Sequence, residues 1–440
     1  MNAIPPEEYP IWESERLSAT DHLHLWHPFT QQQEWCAEES LIIVSGSGAT
    51  LADSRGRNYI DGNSSIWTNI HGHSHPRIVD AVSQQLATLD HTSFLGTTHP
   101  KAIELAERLT QLLPGAPLSR VFFSDNGSTA VEAALKMALQ YWQLRGHPER
   151  CRFASFSGAY HGDTSGAASL GGISSFFERF ARMHFPVEHF ENLDDLESFP
   201  RSEDLAAIMI EPLIQGAAGM RLWPKGMLRS LRDYCDHHGV LLILDEVMTG
   251  FGRTGTMFAC QHEGIIPDLI CLAKGITGGV LPLAATLVTE EIYSAFLGTT
   301  ADQKTFYYGH SYTANPPACA AALASLDLFV QEETLTHLQP KIAHLAKRLA
   351  TLRDLPWVDE IRQCGFIAGI DVMSDSTPRI PYPWMDQTGA KICMAARKHG
   401  LLTRPVRDTI VLMPPLCIEL EQIDLAVEAI RKAILEVCEN

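Results

Sequence analysis

Four stretches of this chain end an apolar run in residues that can do chemistry. In "LICLAKGITGG" five apolar positions lead to Lys274, which small residues follow. In "LLILDEVMTGFGRTG" (Leu241 to Gly255) Asp245 and Glu246 stand at the tip of an apolar run, with no cation until Arg253. A lysine so placed is either a phosphate ligand or an amine desolvated enough to be neutral and nucleophilic, as condensation with a carbonyl requires. A carboxylate so placed reads as a metal ligand, a helix cap, or a group that keeps a cationic ring nitrogen protonated. "SDNGSTAVEAALK" passes through Asn126, Gly127 and Ser128 into a helix whose free N–H groups and dipole can hold a phosphate, although Ser or Thr at a helix start is more often only an N-cap. "SGAYHGDTSGA" (Ser157 to Ala167) presents Tyr160 and His161 among glycines that let backbone approach a ligand, with a plain glycine loop as the bland alternative.

Ligands of open α/β sheets bind outside the carboxyl ends of the strands, so the four ends are read together. Strands are expected at Arg120–Ser124, Arg152–Phe156, Ala206–Pro212, Val240–Glu246, Leu269–Lys274 and Ala284–Thr289, as continuous apolar runs buried on both faces. Helices at Ser128–Gln143 and Lys225–Gly239 alternate with them. The pattern is an α/β fold with a mostly parallel sheet wound by helices. After about residue 330 charged helices such as Gln339–Asp354 and short strands ("GFIAGIDV", "TIVLMPP") suggest a smaller α+β domain. Before residue 75 a candidate hairpin, Ala49–Gly62, is expected to pack with that smaller domain. The expected division is 1–75, 76–330 and 331–440.

Composition narrows the function classes. The chain has 440 residues, 45% hydrophobic and 20% charged, and no apolar run long enough to span a membrane. Its net charge of −18 argues against nucleic acid as a partner. The acidic, proline-containing start lacks the basic-then-apolar pattern of a secretory leader, and ten scattered cysteines without a CxxC pair suit a reducing compartment, so a cytoplasmic location is expected. His71, His73 and His75 alternate as metal ligands on a strand can, but Gly72 and Pro76 suggest a loop, and no metal is expected. Glu104 and Glu107 read as a solvated helix face.

Taken together, the four ends specify a pyridoxal phosphate site. They supply a phosphate cradle at a helix start, an aromatic cover, an acid for the pyridinium nitrogen and a lysine for the aldehyde. Asp245 then stands at a strand tip because the cofactor's ring works as an electron sink only while its nitrogen stays protonated.

On these motifs the chain resembles the class III aminotransferases of fold type I, whose pattern "DEVMTGFGRTG" followed by "AKGITGG" is highly specific. The resemblance covers nearly the whole chain. More narrowly, it is similar to the branch of that family that aminates 8-amino-7-oxononanoate in biotin synthesis. This narrower likeness rests on "LWHPFTQ", "DGNSSIWTNIHGHSHP", "MALQYW", "IEPLIQGAAGM", "GHSYTANP" and "LLTRPVRDTIVLMPP". The resemblance implies that Lys274 carries the cofactor, Asp245 pairs with its nitrogen, Gly127 and Ser128 hold its phosphate, and Tyr160 covers its ring. It implies that His310 and Ser311 reach the phosphate of the neighbouring subunit in a homodimer. Gly309 and Arg404 match positions that contact the keto substrate, with Arg404 the partner of its carboxylate. Phe29, Ile66 and Trp67 fall in the substrate pocket, where the adenosylmethionine-using pattern commonly has Tyr for Phe29 and two tryptophans for Ile66 and Trp67. Adenosylmethionine is the first expectation for the amino donor and lysine the second, with another ω-aminotransferase or an aminomutase as the alternative activity.

Overall fold

The computed structural model describes residues 13–376 and 379–439. The acidic start, residues 1–12, lies outside them. A seven-stranded sheet forms the centre: β1 (Leu118–Ser124), β2 (Arg152–Phe156), β3 (Val187–Phe190), β4 (Leu205–Ile210), β5 (Leu241–Asp245), β6 (Leu269–Leu272) and β7 (Ala284–Thr289). Its order is β1-β7-β6-β5-β4-β2-β3. Every residue of β4, β5, β6 and β7 is buried, the continuous apolarity of strands covered on both faces. β5 runs parallel to β4 and β6, and β2 parallel to β4 and β3, whereas β7 is antiparallel to both β6 and β1. Apolarity reports burial and is silent about strand direction, so β7 could not be told from its parallel neighbours by composition. The edge strand β3, "VEHF", carries two polar residues and escaped the apolar pattern.

The first crossover helix, Gly127–Leu144, buries Ala130, Ala133, Ala134 and Ala138, small residues that let it sit close on the sheet. The helix Met227–His238 stops at Gly239, whose φ of 63° suits the left-handed cap. Near the N-terminus, strands Thr50–Asp53 and Asn58–Asp61 pair antiparallel as a hairpin. Leu401 and Leu402 then pair in parallel with Ile60 and Asp61, which joins chain before residue 62 to chain after residue 400. A second four-stranded sheet combines Val358–Cys364, Ile367–Val372, Thr409–Leu412 and Pro405–Val406.

Two charged residues of the opening motifs are parts of this frame. Glu246 is fully buried and accepts from the Thr249 hydroxyl at 2.6 Å and from the N–H groups of Ala259 and Cys260 at 2.9 and 2.8 Å. Arg253, also buried, donates to the carbonyls of Pro414 at 2.7 Å and Asn69 at 2.5 Å, and burial pushes its guanidinium down to about 10. Glu246→Leu strands three buried donors and is expected to cost roughly 3–5 kcal/mol, read as a lower denaturant midpoint with an unchanged slope. A parent-like midpoint would remove Glu246 from the frame.

The three alternating histidines go to three different partners: His71 to the Ser325 hydroxyl, His73 to Asp61 and His75 towards Glu332. No group of three metal-ligating side chains gathers among the described residues. All ten cysteines are free, and no helix of the described residues is long and apolar enough to cross a membrane. Glu104 and Glu107 are exposed on the helix Pro100–Gln111.

Candidate active site

The carboxyl ends of β1, β2, β5 and β6 open into one cavity of about 430 Å³. Asn126, Gly127, Ser128, Tyr160, His161, Asp245 and Lys274 all line it, so the four chemically loaded strand ends meet as the sheet rule requires. At the first end, the Asn126 side chain caps the helix by accepting from the Thr129 N–H at 3.0 Å. The Ser128 hydroxyl accepts from the Asp163 N–H at 3.1 Å, which ties the second end to the first. Gly162 makes that approach possible: its φ is 127°, and a Cβ there would lie 2.2 Å from the Ser128 Oγ.

Asp245 ends β5 with both oxygens engaged. Oδ2 lies 2.7 Å from the Nδ1 of His161 and Oδ1 accepts from the Val247 N–H at 3.1 Å. A carboxylate acceptor makes Nδ1 the donor. The other ring nitrogen of His161, Nε2, is buried without a partner. Glu211, which the sequence reading quoted in a motif but gave no role, follows β4 and also lines the cavity. It accepts from the N–H groups of Tyr160 at 3.1 Å and Gly216 at 2.9 Å. Burial pushes its carboxyl up to about 7, the Asp245 charge adds to the rise, and His161 opposes it. The run Ala206–Ile210 gave the signal for it, since an acid directly after a buried strand is as loaded here as at Asp245.

Lys274 does not end β6, which stops at Leu272; it starts a short 3-10 turn, Lys274–Thr277, with a φ of 46°. Burial pushes its amine down from 10.5 to about 8, against the pull of the Asp245 and Glu211 charges. The shift is in the direction that favours the unprotonated amine. The Trp67 ring centroid is 4.7 Å from the Lys274 Nζ. Tyr160 stacks on Phe177 with ring centroids 6.1 Å apart, and its hydroxyl donates to Asp163 at 2.7 Å. Burial pushes that phenol upward.

The remaining expected site residues are not among those that line the cavity. Phe29 is 65% exposed and meets Phe176 edge-on at 5.7 Å, while Phe176 in turn meets Tyr160 at 6.3 Å, so Phe176 is an aromatic link the sequence reading missed. Ile66 is 45% exposed beside Trp67. Gly309 and Ser311 are exposed, and the Nε2 of His310 is 3.9 Å from Asp125 at the cavity rim. Arg404 is exposed two residues beyond the strand pair of Leu402 with Asp61.

The residues present fit pyridoxal phosphate. A capped helix start faces the cavity, a depressed lysine amine and a buried carboxylate stand at two neighbouring strand ends, and a buried imidazole nitrogen is left without a partner.

Comparison with known proteins gives the same result at the level of the family. The aminotransferase class-III family model matches residues 32–434. An adenosylmethionine-8-amino-7-oxononanoate aminotransferase of Nitratidesulfovibrio vulgaris is 48% identical, over 97% of this chain and 82% of its own. The crystal structure of the protein of that name from Methanocaldococcus jannaschii superposes with a TM-score of 0.95 at 39% identity, covering 97% of this chain and 100% of that one. An amine transaminase from an uncultivated Pseudomonas species, solved in a PLP-bound form, has a TM-score of 0.90 at 33% identity, over 94% of this chain and 98% of its own. The chain belongs to the class-III aminotransferases, enzymes of fold type I, and its cofactor is pyridoxal 5′-phosphate.

Proposed function

We propose that this enzyme transfers an amino group to 8-amino-7-oxononanoate, giving 7,8-diaminononanoate for biotin synthesis, with S-adenosyl-L-methionine as the donor. The observation that carries an aminotransferase chemistry is the Lys274 amine, depressed to about 8 and enclosed with Asp245, Glu211 and the Trp67 ring in one cavity. The substrate rests on the printed names of the relatives.

When bound, pyridoxal phosphate supplies a carbonyl that condenses with amines and a protonated ring that withdraws electrons from the adjoining carbon. Lys274 Nζ would hold the cofactor through that carbonyl, and as an amine beside the substrate space it would also serve as the base that takes up and releases the proton during transfer. Asp245 keeps the ring nitrogen protonated, and the bond from His161 Nδ1 fixes the direction of its carboxylate. Gly127 and Ser128 offer the helix start to the phosphate, and Tyr160 covers the ring. Trp67, Ile66 and Phe29 form the donor side, while Gly309 and Arg404 meet the keto substrate, Arg404 at its carboxylate. His310 and Ser311 serve the phosphate of a second copy, so the enzyme works as a homodimer. Exposed Tyr307 and Tyr312 flank that loop in support. Residues 76–330 are the cofactor-binding body, and 331–440 with 1–75 the smaller one. The ten free cysteines favour a cytoplasmic location.

Product formation tests the reading. Purified enzyme with cofactor and 8-amino-7-oxononanoate should yield the diamine with adenosylmethionine; no diamine with any donor would overturn the assignment, and conversion without a donor would mark an aminomutase.

Ile66 and Phe29 favour lysine as a second reading of the donor. A sulfonium and an adenine prefer aromatic faces, each contact contributing about 0.5–2 kcal/mol, or roughly tenfold in affinity. The double substitution Ile66→Trp with Phe29→Tyr is expected to raise the ratio of kcat/KM for adenosylmethionine to that for lysine by about tenfold. A flat or falling ratio would mean that these positions do not discriminate donors.

A further inference from the structure

Between Asn63 and Thr68 the backbone winds left-handed without a glycine. Ser64, Ser65, Ile66 and Trp67 have φ values of 45°, 49°, 70° and 68°. The N–H groups of Trp67 and Thr68 donate four residues back, to the carbonyls of Asn63 and Ser64, at 2.8 and 2.9 Å. This is one turn of left-handed helix. Each L residue in that hand presses its Cβ against a carbonyl oxygen, and the β-branched Ile66 is the most crowded. Such a segment persists only when its surroundings over-determine it, and strain of this kind gathers at functional sites.

Asp61 supplies most of that determination. It is 1% exposed and accepts from the N–H groups of Asn63 and Ser65, both at 3.2 Å, and from the Ser65 hydroxyl at 3.1 Å. The Nε2 of His73 closes on its Oδ2 at 2.8 Å. The Ser64 hydroxyl donates to the Met413 carbonyl at 2.6 Å, and the Trp67 indole N–H donates to Asn63 Oδ1 at 2.7 Å. The far side of the turn rests on Gly279, where a Cβ would stand 2.6 Å from the Thr68 carbonyl carbon. That glycine belongs to the same "GITGG" that follows Lys274, so the turn and the reactive lysine share a support. The outcome of the left-handed path is the Trp67 ring 4.7 Å from the Lys274 amine.

We propose that Asp61 is a positioning residue: braced by His73, it clamps the left-handed turn 64–67 and thereby holds the Trp67 ring as a wall against the Lys274 amine. The wall restricts how an amine or aldehyde reaches Lys274, and it is set by a residue that touches neither. The proposal rests on Lys274 being the reacting amine.

Its test is the accessibility of that amine in cofactor-free enzyme, read by peptide mass spectrometry after timed exposure to an amine-arylating reagent at 20 °C. Asp61→Ala is expected to raise the Lys274 modification rate by about tenfold, the loss of one aromatic contact. In the cofactor-loaded enzyme it should lower kcat/KM by about 10- to 100-fold, as an ångström of misplacement does. Asp61→Asn keeps an acceptor oxygen for the two N–H groups and should restore most of the protection. Should Asp61→Ala fail to fold, Ser65→Gly serves, because glycine is free to leave the left-handed region; a rise of about threefold is expected. Glu333→Gly, at another left-handed position with φ of 45° and outside the cavity wall, should leave the modification rate unchanged. Parent-like modification of Lys274 in both Asp61→Ala and Ser65→Gly would overturn the proposal, whatever happens to the melting temperature. The labelling needs no substrate, so a wrong substrate assignment would appear separately, as a parent enzyme that makes no diamine.

Discussion

Lys274→Ala is expected to abolish turnover, by roughly 10⁴-fold or more, because in the proposed mechanism one side chain provides both the covalent attachment of the cofactor and the base that moves the proton. The variant should fold and retain some cofactor through the helix start at Gly127 and Ser128, but the visible absorption of covalently held cofactor should disappear. An unchanged spectrum would assign the attachment to another residue. The depressed amine adds a pH signature. Only the unprotonated amine reacts, and burial lowers the Lys274 value from 10.5 to about 8. Modification of Lys274 in cofactor-free enzyme should therefore rise with pH through about 8 and level off above it. A rise centred near 10.5 would contradict the burial of Nζ.

Asp245→Asn is expected to lower kcat by about 10²- to 10³-fold, the scale on which a preorganised electrostatic partner acts in a closed site. The amide keeps the shape of the carboxylate, and its oxygen can still accept from His161 Nδ1, which lies 2.7 Å from Asp245 Oδ2 in the parent. What is lost is the negative charge, and with it the preference for a protonated ring nitrogen. Cofactor content should stay near the parent value while turnover falls. A parent-like rate with full cofactor would show that Asp245 is not the acid that sets the ring's charge. Because Glu246 next to it belongs to the frame and not to the cavity, Glu246→Leu should lose stability whereas Asp245→Asn should lose rate.

The sheet's buried strands, the helix that starts at Gly127 and the chemistry at four strand ends are legible in the residues alone. These are local matters. A run such as "LLILD" must be buried on both faces whatever its neighbours, and an acid or lysine directly after it must lie at a strand end. The motifs around Asp245 and Lys274 therefore declared the family before any packing was known. The rest depends on contacts between distant parts of the chain. The direction of β7 depends on which strands flank it, since burial is equally satisfied either way. The partner of Asp245 on the protein side, His161, lies 84 positions away in the chain, so no spacing pattern could pair them. Glu246 and Arg253 stand in the same motif as Asp245, yet three-dimensional packing turned both away from the cavity into the frame. The left-handed turn at 64–67 was illegible in "NSSIWT" because intrinsic preference opposes it. Only the surrounding grip of Asp61, Met413 and Gly279 can hold residues of that type in that hand, and the fold brings Met413 and Gly279 to the turn from more than two hundred positions away in the chain.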